Sequence, residues 1–315
     1  MSASVPAPLA LRPGADLRRR ADLEPALPGQ STTLEAEVGP LRVYRRGPTR
    51  GAPVLLVHSV NAAASSYEMR PLYERLAAAR PTYAFDLPGF AMSARPARLY
   101  TPRIMTDAVH AVAAHVRERH DGARLHTAAL SLSCEFLARA ATERPGDHRS
   151  LGLISPTGLD GRRLRDGPAG STKGSRVARW IVTRPLVDDL LFGLLTRPAV
   201  VRYFLGRTFG RRDIDEGLWR YCVRSAHQPG AKHAPFSFVS GYLFSGDVWR
   251  LYQTLEHPIW MTHGVRGDFT DYRRASAFAD KPNWRIRVFR TGALPHFEEP
   301  DAFAAEYEAF LAEVG

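Results

Sequence analysis

The sequence predicts an α/β protein: a mostly parallel sheet flanked by helices, with a helical cap inserted late in the chain. Three observations carry that expectation. Residues 53–58 and 82–85 are short unbroken apolar runs, the pattern of strands covered on both faces. Helical periodicity follows each of them, so strand and helix take turns along the first half of the chain. Between residues 161 and 246 the strand rhythm stops and helix-like stretches succeed one another. A chain of 315 residues with 44% hydrophobic content is long enough to bury a core on each face of such a sheet.

Residues 1–30 are rich in Pro, Ala and Arg, show no period, and are expected to form a flexible N-terminal arm. Residues 32–38 and 41–46 alternate apolar and polar side chains across Gly39-Pro40, which suits an antiparallel hairpin at a sheet edge. The run at 53–58 is the first buried strand and 67–79 the first helix; 82–85 is the next strand and 106–118 the next helix. Residues 125–130 lead into a helix beginning near Ser131, with Phe136, Leu137, Ala140 and Ala141 along one side, and 151–154 is a further strand. Gly and Arg dominate 161–175. Helical stretches at 177–183, 186–195, 199–205 and 216–225 are punctuated by Pro185, Pro198 and Pro229. Asp188 and Asp189 break the most apolar of these, which argues against a membrane span. The sheet resumes at 259–262, with a helix at 272–278, a strand at 285–289 and a closing amphipathic helix at 301–314. The expected division is a core of residues 31–160 and 247–315 and a cap of residues 161–246.

The formal charge is +11 and the pI near 10.1, yet lysine occurs only at Lys173, Lys232 and Lys281. Arginine spread evenly among Pro and Ala reads as the coding bias of a GC-rich bacterial genome. Nucleic-acid binding would concentrate such charge on one face with interleaved aromatics, so no nucleic-acid partner is expected. Cys134 and Cys222 form neither a disulfide framework nor a zinc spacing. The first residues lack the charge and apolar run of a signal peptide, and no apolar stretch reaches membrane length. These features predict a cytoplasmic protein without stable membrane insertion, monomeric or homodimeric. Neither a Gly-x-Gly-x-x-Gly nor a P-loop follows a strand, and no His-Glu-x-x-His occurs, so no cofactor and no metal are expected.

Residues able to carry chemistry sit at the ends of the expected strands. His58-Ser59-Val60-Asn61 follows the first buried strand and Asp86-Leu87-Pro88-Gly89 the second. Ser131 stands at a strand-to-helix junction in Ala129-Leu130-Ser131-Leu132-Ser133. His263-Gly264-Val265-Arg266-Gly267-Asp268 follows a late strand, and Gly292-Ala293-Leu294-Pro295-His296 precedes the last helix. In order and spacing, from about residue 35 to the C-terminus, this set resembles the α/β-hydrolase fold superfamily. The resemblance implies a capped hydrolase with Ser131 as nucleophile, Asp268 as acid and His296 as base, in the chain order Ser, Asp, His. It implies an oxyanion hole made by the backbone N–H groups of Leu132 and Val60. A base must take the hydroxyl proton, a carboxylate must orient the imidazole, and amides at a helix N-terminus must hold the developing negative charge.

The sequence departs from the superfamily pattern at three places. Ala129 and Ser133 replace the usual glycines around the nucleophile, and Ser59 stands where relatives carry glycine. Ala293 occupies the place where relatives commonly have the catalytic histidine, so His296 serves only if its loop is re-registered. Other assignments stay open at this point: Ser131 as a helix N-cap, or Ser133 as nucleophile; Asp271 or Asp160 as acid; His263, His227 or His233 as base; and His296 as a structural residue packing on Phe297. Trp180, Phe192, Tyr203, Phe204, Trp219, Phe236, Phe238 and Tyr242 are expected to line an apolar pocket over Ser131 or to form the cap's own core. Ser59, His227, His233, Phe236 and Tyr242 are the candidate pocket residues. The expected activity is cleavage of an ester, thioester or similar acyl bond of a hydrophobic small molecule by Ser-His-Asp chemistry. The alternatives are a non-hydrolytic cyclase, lyase or isomerase on the same fold, or a ligand-binding protein without catalysis.

Overall fold

The structure, a computed structural model, describes residues 23–161, 166–185, 187–266 and 271–315. Its strands are β1 (Gln30–Leu34), β2 (Leu41–Arg46), β3 (Val54–Val57), β4 (Thr82–Phe85), β5 (Leu125–Leu130), β6 (His148–Ile154), β7 (Ile259–Gly264) and β8 (Trp284–Phe289). They form one eight-stranded sheet in the order β1-β2-β4-β3-β5-β6-β7-β8. The β1–β2 and β2–β4 pairs are antiparallel, matching the expected edge hairpin, and all later pairs are parallel. Along β3 the side chains alternate between two cores. Leu55 and Val57 join one with Val109 and Phe136, whereas Val54 and Leu56 join the other with Leu72, Phe303 and Tyr307. A strand buried on both faces cannot alternate polar and apolar residues, which is why the apolar runs are continuous.

Helices α1 (Arg70–Leu76), α2 (Pro102–Glu118) and α3 (Ser133–Glu143) belong to the first half of the chain. Between β6 and β7 lie α4 (Arg176–Val182), α5 (Val187–Leu195), α6 (Pro198–Phe209), α7 (Glu216–Ala226), α8 (His233–Val239) and α9 (Val248–Gln253); α10 (Pro295–Glu298) and α11 (Pro300–Glu313) close the chain. The two short helices α8 and α9 escape sequence periodicity because they span barely two turns each. The helix expected at 272–278 is a 3-10 turn over Arg273–Phe278, and the one expected at 67–79 begins as a 3-10 turn over Ser66–Met69. The N-terminal arm also needs correction. Residues 1–22 lie outside the described residues, but Leu23, Ala26 and Leu27 are buried, the Ala26 amide donates to the Tyr44 hydroxyl, and the Tyr221 hydroxyl donates to the Glu24 carbonyl.

Two features of this topology place a site. The chain runs from β3 outward to β4, then returns to the other side of β3 with β5, so the loops after β3 and β5 face each other at a topological switch point. The helices between β6 and β7 rest on the loops at that same end. Tyr67 stacks on Tyr221, the Tyr100 amide donates to Ser237, and the Ala293 amide donates to the Thr208 carbonyl.

Both connections to this inserted segment are anchored on α3. Arg139 forms a nearly buried ion pair with Asp247 at 2.6 Å, and the other Asp247 oxygen accepts the Gly170 amide. One turn earlier, the buried Glu135 carboxyl group accepts the Thr157 hydroxyl and the Ser245 amide, while burial raises its pKa. Replacing Arg139 by Met strands the Asp247 carboxylate in the interior. The expected cost is about 3 kcal/mol, read from the denaturant midpoint. Arg285→Met, which breaks the solvent-exposed Arg285–Glu313 pair, should leave that midpoint nearly unmoved.

Candidate active site

Ser131 links β5 to α3 with φ of 56°, in the left-handed region that a residue bearing a Cβ rarely adopts. Its amide donates to the Ile154 carbonyl at 2.8 Å, and its hydroxyl has no hydrogen-bond partner among the described residues. The residue capping α3 is Leu132, without a side-chain cap, so Ser131 does not act as an N-cap. Ser133 is committed elsewhere: its hydroxyl donates to the His58 carbonyl at 2.5 Å. That bond explains a serine where a glycine is usual, and it removes Ser133 as a rival to Ser131. Left-handed backbone gathers at this edge of the sheet. Among the described residues five non-glycine positions have positive φ, and four of them, Ala91, Ser131, Ser155 and Tyr272, follow the C-terminal ends of β4, β5, β6 and β7.

The loop after β3 is fixed by one acid that sequence reasoning overlooked. The buried Glu68 carboxylate accepts the Ser59 amide at 2.9 Å and the Asn61 side-chain amide at 2.7 Å. Asn61 in turn donates to the Ser59 hydroxyl and accepts the Ala63 amide. With Ser59 so engaged, the next amide, Val60, finds no acceptor among the described residues, and neither does the Leu132 amide. His58 is structural. Its Nε2 accepts the Leu87 amide, so Nδ1 carries the proton toward the Ser59 carbonyl, and burial lowers its pKa and keeps the ring neutral. The only sequence signal for Glu68 is a single acid directly after the Ser65-Ser66-Tyr67 turn.

His296 lies on α10, fully buried, with its ring beside Phe297 and Phe303. Its Nε2 is 2.6 Å from the Glu68 carbonyl and must donate to it, which leaves Nδ1 as a lone pair without a partner. Burial lowers its pKa to about 4. His296 makes no hydrogen bond with Ser131. Ala293 is pinned from two sides, its amide on the Thr208 carbonyl and its carbonyl under the Ser155 hydroxyl, and presents only a methyl group.

Asp268 lies outside the described residues. Asp271 is exposed and holds the Gly161 and Arg273 amides. His263 stacks on Tyr272 with ring centroids 4.0 Å apart and bonds the Gly264 carbonyl through Nδ1. It sits on β7, two strands from β5, and so is roughly 10 Å away. His227 bonds back to Val223 in its own helix. His233 begins α8, half-buried, with burial lowering its pKa. Phe236 packs edge-on against Phe192 within the inserted helices, and Tyr242 lies against Arg179 and Gly174. The expected roof of aromatics fails at Trp180, Tyr203 and Phe204, which are exposed. Among the described residues no three His, Cys, Asp or Glu side chains are placed to hold a metal ion.

No protein-family profile and no curated protein matches the sequence. Solved structures do match the fold. An esterase from Exiguobacterium antarcticum superposes with a TM-score of 0.68 at 16% identity, covering 90% of this chain and 99% of its own. A carboxylesterase from Bacillus subtilis gives 0.64 at 18% identity over 90% and 91%. A meta-cleavage product hydrolase from Pseudomonas fluorescens gives 0.66 at 18% identity over 90% and 98%. The chain has the fold of the α/β-hydrolase superfamily.

Two measurements check this description. Ser131→Gly removes the strain of a left-handed serine and should raise stability by about 1 kcal/mol in urea unfolding, where loss of a cap would have lowered it. His126 and His296 are held to about 4 and His148 to about 3 by burial, against 6.5 unfolded. Between those values the unfolded chain binds more protons, so stability is full above about pH 6.5 and falls as pH drops toward 4. His296→Gln keeps a donor for the Glu68 carbonyl, and its pH dependence between 7 and 5 should be shallower by about one proton.

Proposed function

We propose that the protein is an acyl hydrolase in which Ser131 attacks the carbonyl of an ester or thioester of a hydrophobic small molecule, while the Val60 and Leu132 amides hold the oxyanion. One observation carries this reading: a half-buried, unpartnered hydroxyl on a left-handed turn at the switch point, accompanied by two unpartnered amides. Structural neighbours named as esterases and as a hydrolase support the reaction class. An apolar substrate is in keeping with the residues next to Ala293 and on α6, where Leu294, Leu205 and Phe209 belong to one buried apolar cluster. In this reading His296 takes the Ser131 proton and Asp268 orients it. The ring then leaves the Glu68 carbonyl as the turn of α10 carries Nδ1 within hydrogen-bond reach of Ser131.

A specific observation favours a second reading. The hydrogen bond of His296 goes to Glu68, and position 293 offers no imidazole. Without a base the same hydroxyl and amides bind a ligand carbonyl or carboxylate uncleaved, as in a binding protein or a cyclase, lyase or isomerase acting through other groups.

Incubation with a fluorophosphonate probe and p-nitrophenyl esters separates the two. Acyl hydrolysis predicts stable labelling that Ser131→Ala abolishes and ester turnover that His296→Ala lowers about 100-fold or more. Turnover unchanged in His296→Ala removes that residue as base. A wild-type protein inert to probe and to esters of varied acyl length establishes the second reading.

A further inference from the structure

The inserted helices turn an unusually apolar face to the outside. Eight of the twelve exposed large hydrophobic residues of the described chain fall between residues 177 and 204. On α4, Val177, Trp180 and Ile181 form one stripe at helical spacing, with Val177 68% and Trp180 59% exposed, and the helix buries no residue. On α5, Val187, Leu190 and Leu194 form another, with Leu190 66% exposed, and Phe192 is its one buried side chain. Tyr203 and Phe204 continue the surface on α6. The three helices are neighbours, α4 packing on α5 and α5 on α6. An apolar patch of this extent on a protein surface marks a place where something docks.

Charge selects the occupant. Arg176 on α4, Arg184 between α4 and α5, and Arg197 before α6 are exposed and form no ion pair among the described residues, and the Arg184 guanidinium lies 3.7 Å over the Trp180 ring. The local acids, Asp188 and Asp189, share Lys232 at 2.7 Å, which leaves one net negative charge against the three arginines. Apolar stripes carrying Trp and Tyr, rimmed by arginine, are the composition of a surface that seats in the headgroup region of a bilayer. A second copy of this chain would bring arginine against arginine. We infer that α4, α5 and the aromatic end of α6 form a docking face for an anionic lipid bilayer, on which the protein rests peripherally. No helix among the described residues is long and apolar enough to cross the membrane, so attachment is reversible and surface-bound. The inference does not depend on the chemistry assigned to Ser131.

The test uses the full chain in co-sedimentation with vesicles of phosphatidylcholine alone and of phosphatidylcholine with about a third phosphatidylglycerol. Binding is expected to the anionic vesicles only, to weaken with salt, and to fall about ten-fold or more in Trp180→Ser/Leu190→Ser and in Arg176→Glu/Arg184→Glu. All four positions are exposed, so circular dichroism and melting should match the parent. No binding to anionic vesicles, or equal binding by both double variants, overturns the inference. So does a concentration-dependent dimer that Trp180→Ser/Leu190→Ser dissociates while vesicles capture nothing, which assigns the face to a second copy of the chain.

Discussion

The left-handed turn at Ser131 is the constraint from which the rest of the site follows. Such a conformation costs a serine about 1–2 kcal/mol, and it persists because neighbouring strands hold it from several directions. The Ser131 amide is bound to β6 through Ile154, the Ser133 hydroxyl to the end of β3 through His58, and the Cys134 thiol to β5 through Ala129. Sharp reversal into α3 leaves the Leu132 amide at the helix N-terminus without an acceptor among the described residues. The same helix then carries Glu135 and Arg139, which bind the two connections of the inserted segment. One helix therefore couples the turn that exposes a hydroxyl to the inserted segment.

Glu68 is the second constraint, and it joins parts of the chain that are far apart in sequence. Its carboxylate occupies the Ser59 amide, so that of the two successive amides after His58 only Val60 is left for a ligand. Its carbonyl receives His296 from the other end of the protein. The loop after β3 and the loop after β8 thus hang from one short 3-10 turn. Moving His296 toward Ser131 leaves a buried carbonyl without a donor, at a cost of about 1–3 kcal/mol that substrate binding has to offset.

Much of the fold was legible because burial dictates composition. Strands covered on both faces must be unbroken apolar runs, and β3, β4 and β5 stand within a residue or two of where those runs lie. The edge hairpin followed from its alternation and the Gly39-Pro40 turn. Ser131 was legible as a position through its place between strand and helix, although no glycine marks it. Glu68 was not, because a lone acid near a helix start gives no sign that its carboxylate folds back onto an amide nine residues earlier. The cap aromatics misled for a related reason. Trp180, Tyr203 and Phe204 lie on amphipathic helices, and periodicity shows that a helix has an apolar side without showing whether that side faces the core or the outside.

Ala293 gives the remaining question a physical form. For His296 to take the place of the missing imidazole the loop before α10 has to slide, and the packing argues against sliding. A Cβ built on Gly292 would overlap the backbone of Phe209, so any residue moved into that position collides with main chain, and the Gly292 carbonyl is itself packed against Gly264. The Ala293 amide and carbonyl are both engaged, and the Gly292 amide is held by Glu298. With the register locked, His296 can approach Ser131 only if the turn of α10 moves as a unit and breaks its bond to Glu68. Hydrolysis and mere binding therefore part on that single hydrogen bond: kept, it makes His296 a strut beneath the oxyanion loop, and released, it frees the only imidazole that the loop after β8 carries.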